Sequence, residues 1–191
     1  MLRGLLQRMF VGPWTSTILA DGAFSTPSVN ATNAIRYTPV YRAVTLIAND
    51  IARIELEVSD TGADSLLASP SPYMSAFEFR RAMTMQVLLF GNAFAAINRS
   101  NGGELLELIL LQPETVSLDL TTGVPLYRTQ NYGILTASQM FHLRAPSTSG
   151  LWGDSPINLC RTSLNLLAAQ EEMALRTYVN AGNAKIALVH P

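Results

Sequence analysis

The side chains best suited to acid–base or nucleophilic chemistry in this 191-residue sequence are two histidines, one cysteine and a few neighbouring carboxylates. His142 stands in Met-Phe-His-Leu-Arg and His190 near the end, both in strand-like surroundings. A cysteine hydrolase needs a thiolate beside an imidazole base, and Cys160 with His142 is the pair that could supply one. No hydrolase motif surrounds Cys160, however, and a cysteine on the apolar stripe of a helix behaves as a small hydrophobe. His142 reads as a hydrogen-bonded sheet residue. Glu171 and Glu172 are adjacent on a helix and point about 100° apart, too divergent to share a proton. They read as a solvated face, as do Glu104 and Glu107. There is no Gly-x-x-x-x-Gly-Lys-Ser/Thr loop, and Gly150-Leu-Trp-Gly153 is too sparse for a dinucleotide fingerprint. The sequence assigns no catalytic residue, no metal ligand and no cofactor.

Binding chemistry is equally thin. The closest basic pair is Arg80-Arg81, and the other cations are scattered over a chain of net charge −1 with a pI near 6.1. Phosphate tracking needs clustered cations, so free-standing DNA binding is not expected; a nucleic-acid-binding module built on Arg80, Arg81 and their neighbours is the alternative reading. One cysteine permits no internal disulfide and fits a reducing compartment. Met1 to Phe10 starts like an export signal, but Gln7 and Arg8 interrupt its apolar run, so no export signal is read. The longest uncharged window, 82–98, contains Thr84, Gln86, Gly91, Asn92 and Asn98, which suits a buried helix running into a strand better than a membrane span.

The elements that must position these residues follow from hydrophobic spacing. Apolar residues make up 48% of the chain and charged residues only 14%, with mean hydropathy +0.20, so disorder is excluded and apolar surface is expected to be covered by partners. Residues 1–36 read as a flexible N-terminal arm. Thr38 and Pro39 read as a cap and a first helical residue, and Val40, Val44, Ile47 and Ile51 continue at helical spacing through 39–53. Ile54-Glu-Leu-Glu-Val58 alternates as a short strand, and a Pro-containing loop follows at 69–73. Ser75-Ala-Phe-Glu78 is a capping box that opens a second helix ending at Gly91-Asn92. Ala93–Arg99 and Leu105–Leu111 flank Ser-Asn-Gly-Gly as a hairpin. Val116–Leu120, Leu126–Thr129 and Gln139–Arg144 complete a meander. Ser155 and Pro156 then open a helix running to Gly182, which would be ~39 Å long. Leu159, Leu166 and Met173 lie off its main stripe, so more than one of its faces needs cover.

The order of these segments carries a resemblance. Pro39-Val-Tyr-Arg-Ala-Val-Thr-Leu-Ile-Ala-Asn-Asp-Ile-Ala, Ser75-Ala-Phe-Glu-Phe-Arg-Arg-Ala-Met, Gly91-Asn-Ala-Phe-Ala-Ala-Ile-Asn-Arg and Leu111-Gln-Pro-Glu-Thr-Val116 follow one another as in portal proteins of tailed double-stranded-DNA bacteriophages. Phe141-His-Leu-Arg144, Gly150-Leu-Trp-Gly-Asp-Ser-Pro-Ile157 and Tyr178-Val-Asn-Ala-Gly182 continue the series. The resemblance implies an α+β, wing-like domain over 37–191 with an antiparallel meander sheet, two medium helices and one long C-terminal helix, ending before the stem and clip. It implies a structural subunit, not an enzyme, of a homo-oligomeric ring, a dodecamer in the full-length family. That ring sits at the capsid vertex of the virion and forms in the host cytoplasm. The partners it implies are other copies of the chain, the major capsid protein, double-stranded DNA passing without sequence readout and, for the missing part, the terminase large subunit and a head–tail adaptor. No membrane is implied. Trp152, Asp154, Ser155, Pro156, Leu159 and Leu166 are the expected subunit-interface residues. A split or degraded prophage fragment without assembly activity is a further alternative.

Overall fold

The computed structural model describes residues 28–56, 61–121 and 123–179, without the side chains of 61–63. Two compact units divide the chain, Val29–Leu166 and Met1–Ser28 with Leu167–Pro191. In the first, helix α1 (Thr38–Ala52) packs on helix α3 (Ala76–Phe90), and the short helix α2 (Thr61–Ala68) lies against the sheet. Strands β1 (Asn92–Arg99), β2 (Leu105–Leu111) and β6 (Met140–Arg144) form one antiparallel sheet in the order β2-β1-β6. Strands β3 (Val116–Asp119), β4 (Leu126–Thr129) and β5 (Gly133–Thr136) form another, in the order β3-β4-β5. Helices α4 (Pro156–Leu159) and α5 (Arg161–Val179) follow.

Local chemistry sets several of these boundaries. The Ser75 hydroxyl accepts from the Glu78 amide at 3.3 Å while the Ser75 amide donates to Glu78 Oε2 at 3.1 Å, so both orphan donors of the capping box are satisfied. Helix α3 stops at Gly91, whose φ of +79° closes the helix in the left-handed region. Ser155 caps α4 as expected, accepting from the Asn158 amide at 3.2 Å, with Pro156 in the first turn.

Strand β1 divides the core into two clusters. Asn92 to Ala96 are all buried, so the strand is covered on both faces. Ala93 and Ala95 join Leu66, Phe79, Met83 and Leu108 on the helix side. Phe94 and Ala96 join Leu111, Val116, Tyr127 and Met140 on the side of the small sheet. Period-two alternation assigns β6 the same way, because Phe94 pairs with His142 and Ala95 with Phe141.

Several expectations need correction. The first helix is capped by Tyr37, not Thr38: the Tyr37 carbonyl accepts from the Tyr41 amide at 2.9 Å while its backbone is still extended. Residues 54–56 of the expected strand form no strand, and Ile54 and Leu56 are exposed because no partner strand is aligned with them; 57 and 58 lie outside the described residues. Helix α2 and strand β5 were not anticipated. The meander order holds for β3-β4-β5 only, since β6 leaves it to pair with β1. The helix expected from Pro156 to Gly182 breaks at Cys160 (φ −93°, ψ 11°), and α5 starts at Arg161; beyond Val179 it lies outside the described residues. Ser155, tied to α3, and the buried Ile157 hold α4 in place. Of the expected arm, 1–27 lie outside the described residues. Its last stretch contains Val29, fully buried, whose amide donates to Asn165 Oδ1 at 2.8 Å.

The second unit is represented by Ser28 and the part of α5 from Leu167 on. There Glu172 pairs with Arg176, and Met173, Leu175, Tyr178 and Val179 are exposed. Among the described residues no helix is long and apolar enough to cross a membrane.

Candidate functional site

The most organised polar chemistry in the described residues lies where β1, β4 and β6 meet the loop 147–154. Asn92 is 1% exposed, and its side-chain amide takes both backbone groups of Gly153: Nδ2 donates to the carbonyl at 2.8 Å and Oδ1 accepts from the amide at 2.8 Å. That double contact fixes the orientation of the amide, because Gly153 offers one donor and one acceptor. Oδ1 also lies 3.0 Å from His142 Nε2. Since Oδ1 can only accept, Nε2 carries the hydrogen, and Nδ1 of the neutral ring must be the acceptor. The Tyr127 hydroxyl, 3.2 Å from Nδ1, therefore donates to it. A directed chain runs Tyr127 to His142 to Asn92, ending on the loop.

Aromatic packing encloses the chain. Phe94 is fully buried, with its ring stacked on His142 at 4.4 Å between centroids and tilted against Trp152 at 5.4 Å. Tyr127 meets Phe94 edge-on at 6.1 Å. Burial, helped by the charge of Arg144, lowers His142 from its ordinary 6.5 to about 4, so the imidazole is neutral at neutral pH. Burial raises Tyr127, with Arg144 opposing.

Glycine is required where the loop meets the end of α3. A Cβ at Gly153 would stand 2.0 Å from the Gly91 carbonyl oxygen, and one at Gly91 would stand 2.6 Å from backbone atoms of Asp154. The same junction is tied by Ser155 Oγ donating to the Leu89 carbonyl at 2.6 Å and by Asp154 accepting from the Thr148 amide at 2.8 Å. Bonds from the Thr148 hydroxyl and amide hold the Asp154 carboxyl below its ordinary range.

A half-open cleft of about 320 Å³ lies beside this junction, lined by Leu118, Tyr127, Met140, His142, Arg144 and Leu151 among others. It offers apolar walls and one guanidinium. It does not assemble a nucleophile with a base: both nitrogens of His142 are engaged, and Cys160 is exposed at the end of α4. His190 lies outside the described residues. Among the described residues no three His, Cys, Asp or Glu side chains are grouped to hold a metal ion.

The other residues singled out above are dispersed. Arg80 Nε and Nη2 donate to the Ala52 carbonyl at 3.1 and 2.9 Å, capping the end of α1, and Arg81 lies over the Phe77 ring at 5.7 Å. Glu172 pairs with Arg176, and Glu107 accepts from Asn98 at 3.0 Å. Of the six expected interface residues, Trp152, Asp154 and Ser155 make the intramolecular contacts described, and Pro156 opens α4. Leu159 and Leu166 are 75% and 61% exposed. Sequence reasoning missed Asn92, Tyr127 and Arg144. Gly91-Asn92 looked like a simple helix stop, and only the fold brings Gly153 to it.

The His142 chain predicts a pH dependence. The unfolded histidine titrates near 6.5 and the folded one near 4, so between these values the unfolded state binds more protons. The stability it contributes is complete above pH 6.5 and is lost as pH falls towards about 4. Asp119, held down to about 2 by bonds from Thr121 and Arg128, loses its contribution only below its ordinary 3.8. Thermal unfolding midpoints should therefore fall between pH 6.5 and 4, and His142→Gln should flatten that limb. A wild-type midpoint constant over that range would contradict the buried, neutral imidazole.

Comparison with known proteins places this architecture. The family profile described as phage portal protein matches residues 38–191. The portal protein of Enterobacteria phage HK97 is 30% identical over 190 residues, covering 91% of this chain and 45% of that protein. Among solved structures, the neck of a native GTA particle computed with C12 symmetry is similar with a TM-score of 0.69 at 22% identity, covering 87% of this chain and 47% of that one. An HK97-family phage portal protein from Corynebacterium diphtheriae is similar with a TM-score of 0.65 at 16% identity, covering 86% and 57%. The chain thus spans about half the length of the proteins it matches, and the α+β fold is theirs.

Proposed function

The chain belongs to the phage portal protein family, and from that premise we propose that it supplies the N-terminal, wing-like portion of a portal subunit at the capsid vertex of a tailed virion. The sequence places its wing-like domain at 37–191 after an arm over 1–36; the last stretch of that arm, from Val29, packs into the compact unit Val29–Leu166. The work is mechanical: copies of the chain pack into a ring through which double-stranded DNA passes without sequence readout, and no covalent chemistry is involved. The major capsid protein surrounds the ring. The terminase large subunit and the head–tail adaptor meet the remaining half of the subunit, and assembly takes place in the host cytoplasm before the ring is part of the virion.

The observation that carries this reading is the continuous match over 38–191. The surface of the first unit supports it. Subunits of a closed ring make head-to-tail contacts between two different patches, and the first unit presents Leu159 and Leu166 to solvent after the packed and hydrogen-bonded junction of Trp152, Asp154, Ser155 and Pro156. In this proposal the junction holds α4 at a fixed angle, and the two leucines meet the neighbouring copy. Electron microscopy and native mass spectrometry of the purified chain test it. Closed rings are expected, and Leu159→Glu with Leu166→Glu should dissociate them. A strict monomer at high protein concentration would overturn ring assembly by this portion of the subunit.

A further inference from the structure

Strand β6 is the outer strand of its sheet, paired with β1 on one side, and among the described residues no strand pairs with its other edge. Both layers of the core run out along that edge. On the helix side, Phe141 and Leu143 are 40% and 42% exposed and line a mainly apolar groove of about 230 Å³ with Ile51, Ile54, Phe79 and Met83; Arg80 also lines it, its guanidinium held by the Ala52 carbonyl. On the opposite face, Met140, His142 and Arg144 line the 320 Å³ cleft. Among the described residues the Arg144 guanidinium forms no ion pair; its hydrogen bond goes to the Gly150 carbonyl. An edge strand left in this state exposes a row of unpaired amides and carbonyls and invites another strand.

We propose that the free edge of β6 takes an extended peptide segment of a partner protein as an added strand, apolar side chains entering the groove beside Phe141 and Leu143 and alternating acidic side chains meeting Arg144. The backbone would supply the binding energy common to all such segments, and the side-chain alternation would supply the selection. Residues i and i+2 of an added strand point to one face and i+1 to the other. A segment reading apolar-acidic-apolar-acidic therefore fills the groove and places a carboxylate by the guanidinium at the same time. Charge selects acid over base, because the cleft holds one unbalanced cation. Duplex DNA is disfavoured, since phosphate binding draws on several cations together and leaves the apolar groove empty.

A fluorescent peptide Ile-Glu-Leu-Glu-Val, which repeats the alternation that the chain itself carries at 54–58, serves as the probe for the full chain. Saturable binding is expected, together with slowed hydrogen exchange at those amides of 140–144 that β1 leaves unpaired. The Arg144→Glu variant should bind about tenfold more weakly, a change of about 1.4 kcal/mol, and should prefer Ile-Lys-Leu-Lys-Val instead. Arg144→Gln should lose the charge preference while keeping the fold, as its circular dichroism spectrum will show. Equal binding of both peptides by the unaltered chain would overturn the proposal. So would no peptide binding, whether the edge amides exchange freely or are already protected, and so would Arg144-dependent binding of duplex DNA without peptide binding.

Discussion

Phe94→Ala is expected to cost about 3–5 kcal/mol, the usual range for removing a fully buried phenylalanine. For a chain of this length that corresponds to a fall of roughly 10 °C in unfolding midpoint. The expectation follows from position: the ring has no exposed surface and touches His142, Trp152 and Tyr127 at centroid distances of 4.4, 5.4 and 6.1 Å. These four rings come from β1, β4, β6 and the loop before α4, so the cavity would open where the central strand, the small sheet and the loop converge. Urea unfolding followed by circular dichroism gives the free energy. Tryptophan fluorescence should shift to the red in the folded variant as Trp152 loses its packing partner. A loss below about 1 kcal/mol would mean that the rings are not held together as described.

Asn92→Ala should cost about 3 kcal/mol although it removes little apolar contact. Its amide satisfies three groups at once, the Gly153 amide, the Gly153 carbonyl and His142 Nε2–H. An alanine there leaves all three unpaired in a site of low exposure, and an orphaned buried polar group costs about 1–3 kcal/mol. The control is Asn98→Ala on the same strand, whose side chain bonds to Glu107 on the exposed surface and whose loss should stay within about 0.5 kcal/mol. The two substitutions delete the same atoms, so the difference between them compares a buried amide bonded to three groups with an exposed one bonded to a single carboxylate. Limited proteolysis should also cut Asn92→Ala within 147–154 faster than the parent, since Gly153 is the loop's tie to β1. Equal stabilities for the two variants would show that the Asn92 bonds carry no net weight.

Both substitutions lie within the portion of the chain that the phage portal family profile covers. A destabilised Asn92→Ala chain that still formed rings would separate the fold from the assembly. A stable chain with Leu159→Glu and Leu166→Glu that did not form rings would separate them in the other direction. Together the variants distinguish residues that hold the subunit together from residues that hold subunits to each other.

The sequence by itself determined the features that depend on a few adjacent residues. The Ser75–Glu78 capping box, the helix stop at Gly91, the hairpin through Ser-Asn-Gly-Gly and the Ser155-Pro156 start of α4 were legible because their hydrogen bonds span three or four residues, so the pattern and the contact coincide. Family membership was legible for a related reason, since collinear motifs survive in the order of the chain. The tertiary structure alone decided that β6 pairs with β1, that the helix breaks at Cys160, and that Asn92 clasps Gly153 across 61 positions of sequence. Those outcomes are fixed by which faces are buried together. A strand's residue types do not name its neighbour, and a Gly-Asn pair reads the same whether its amide meets water or the backbone of a distant loop.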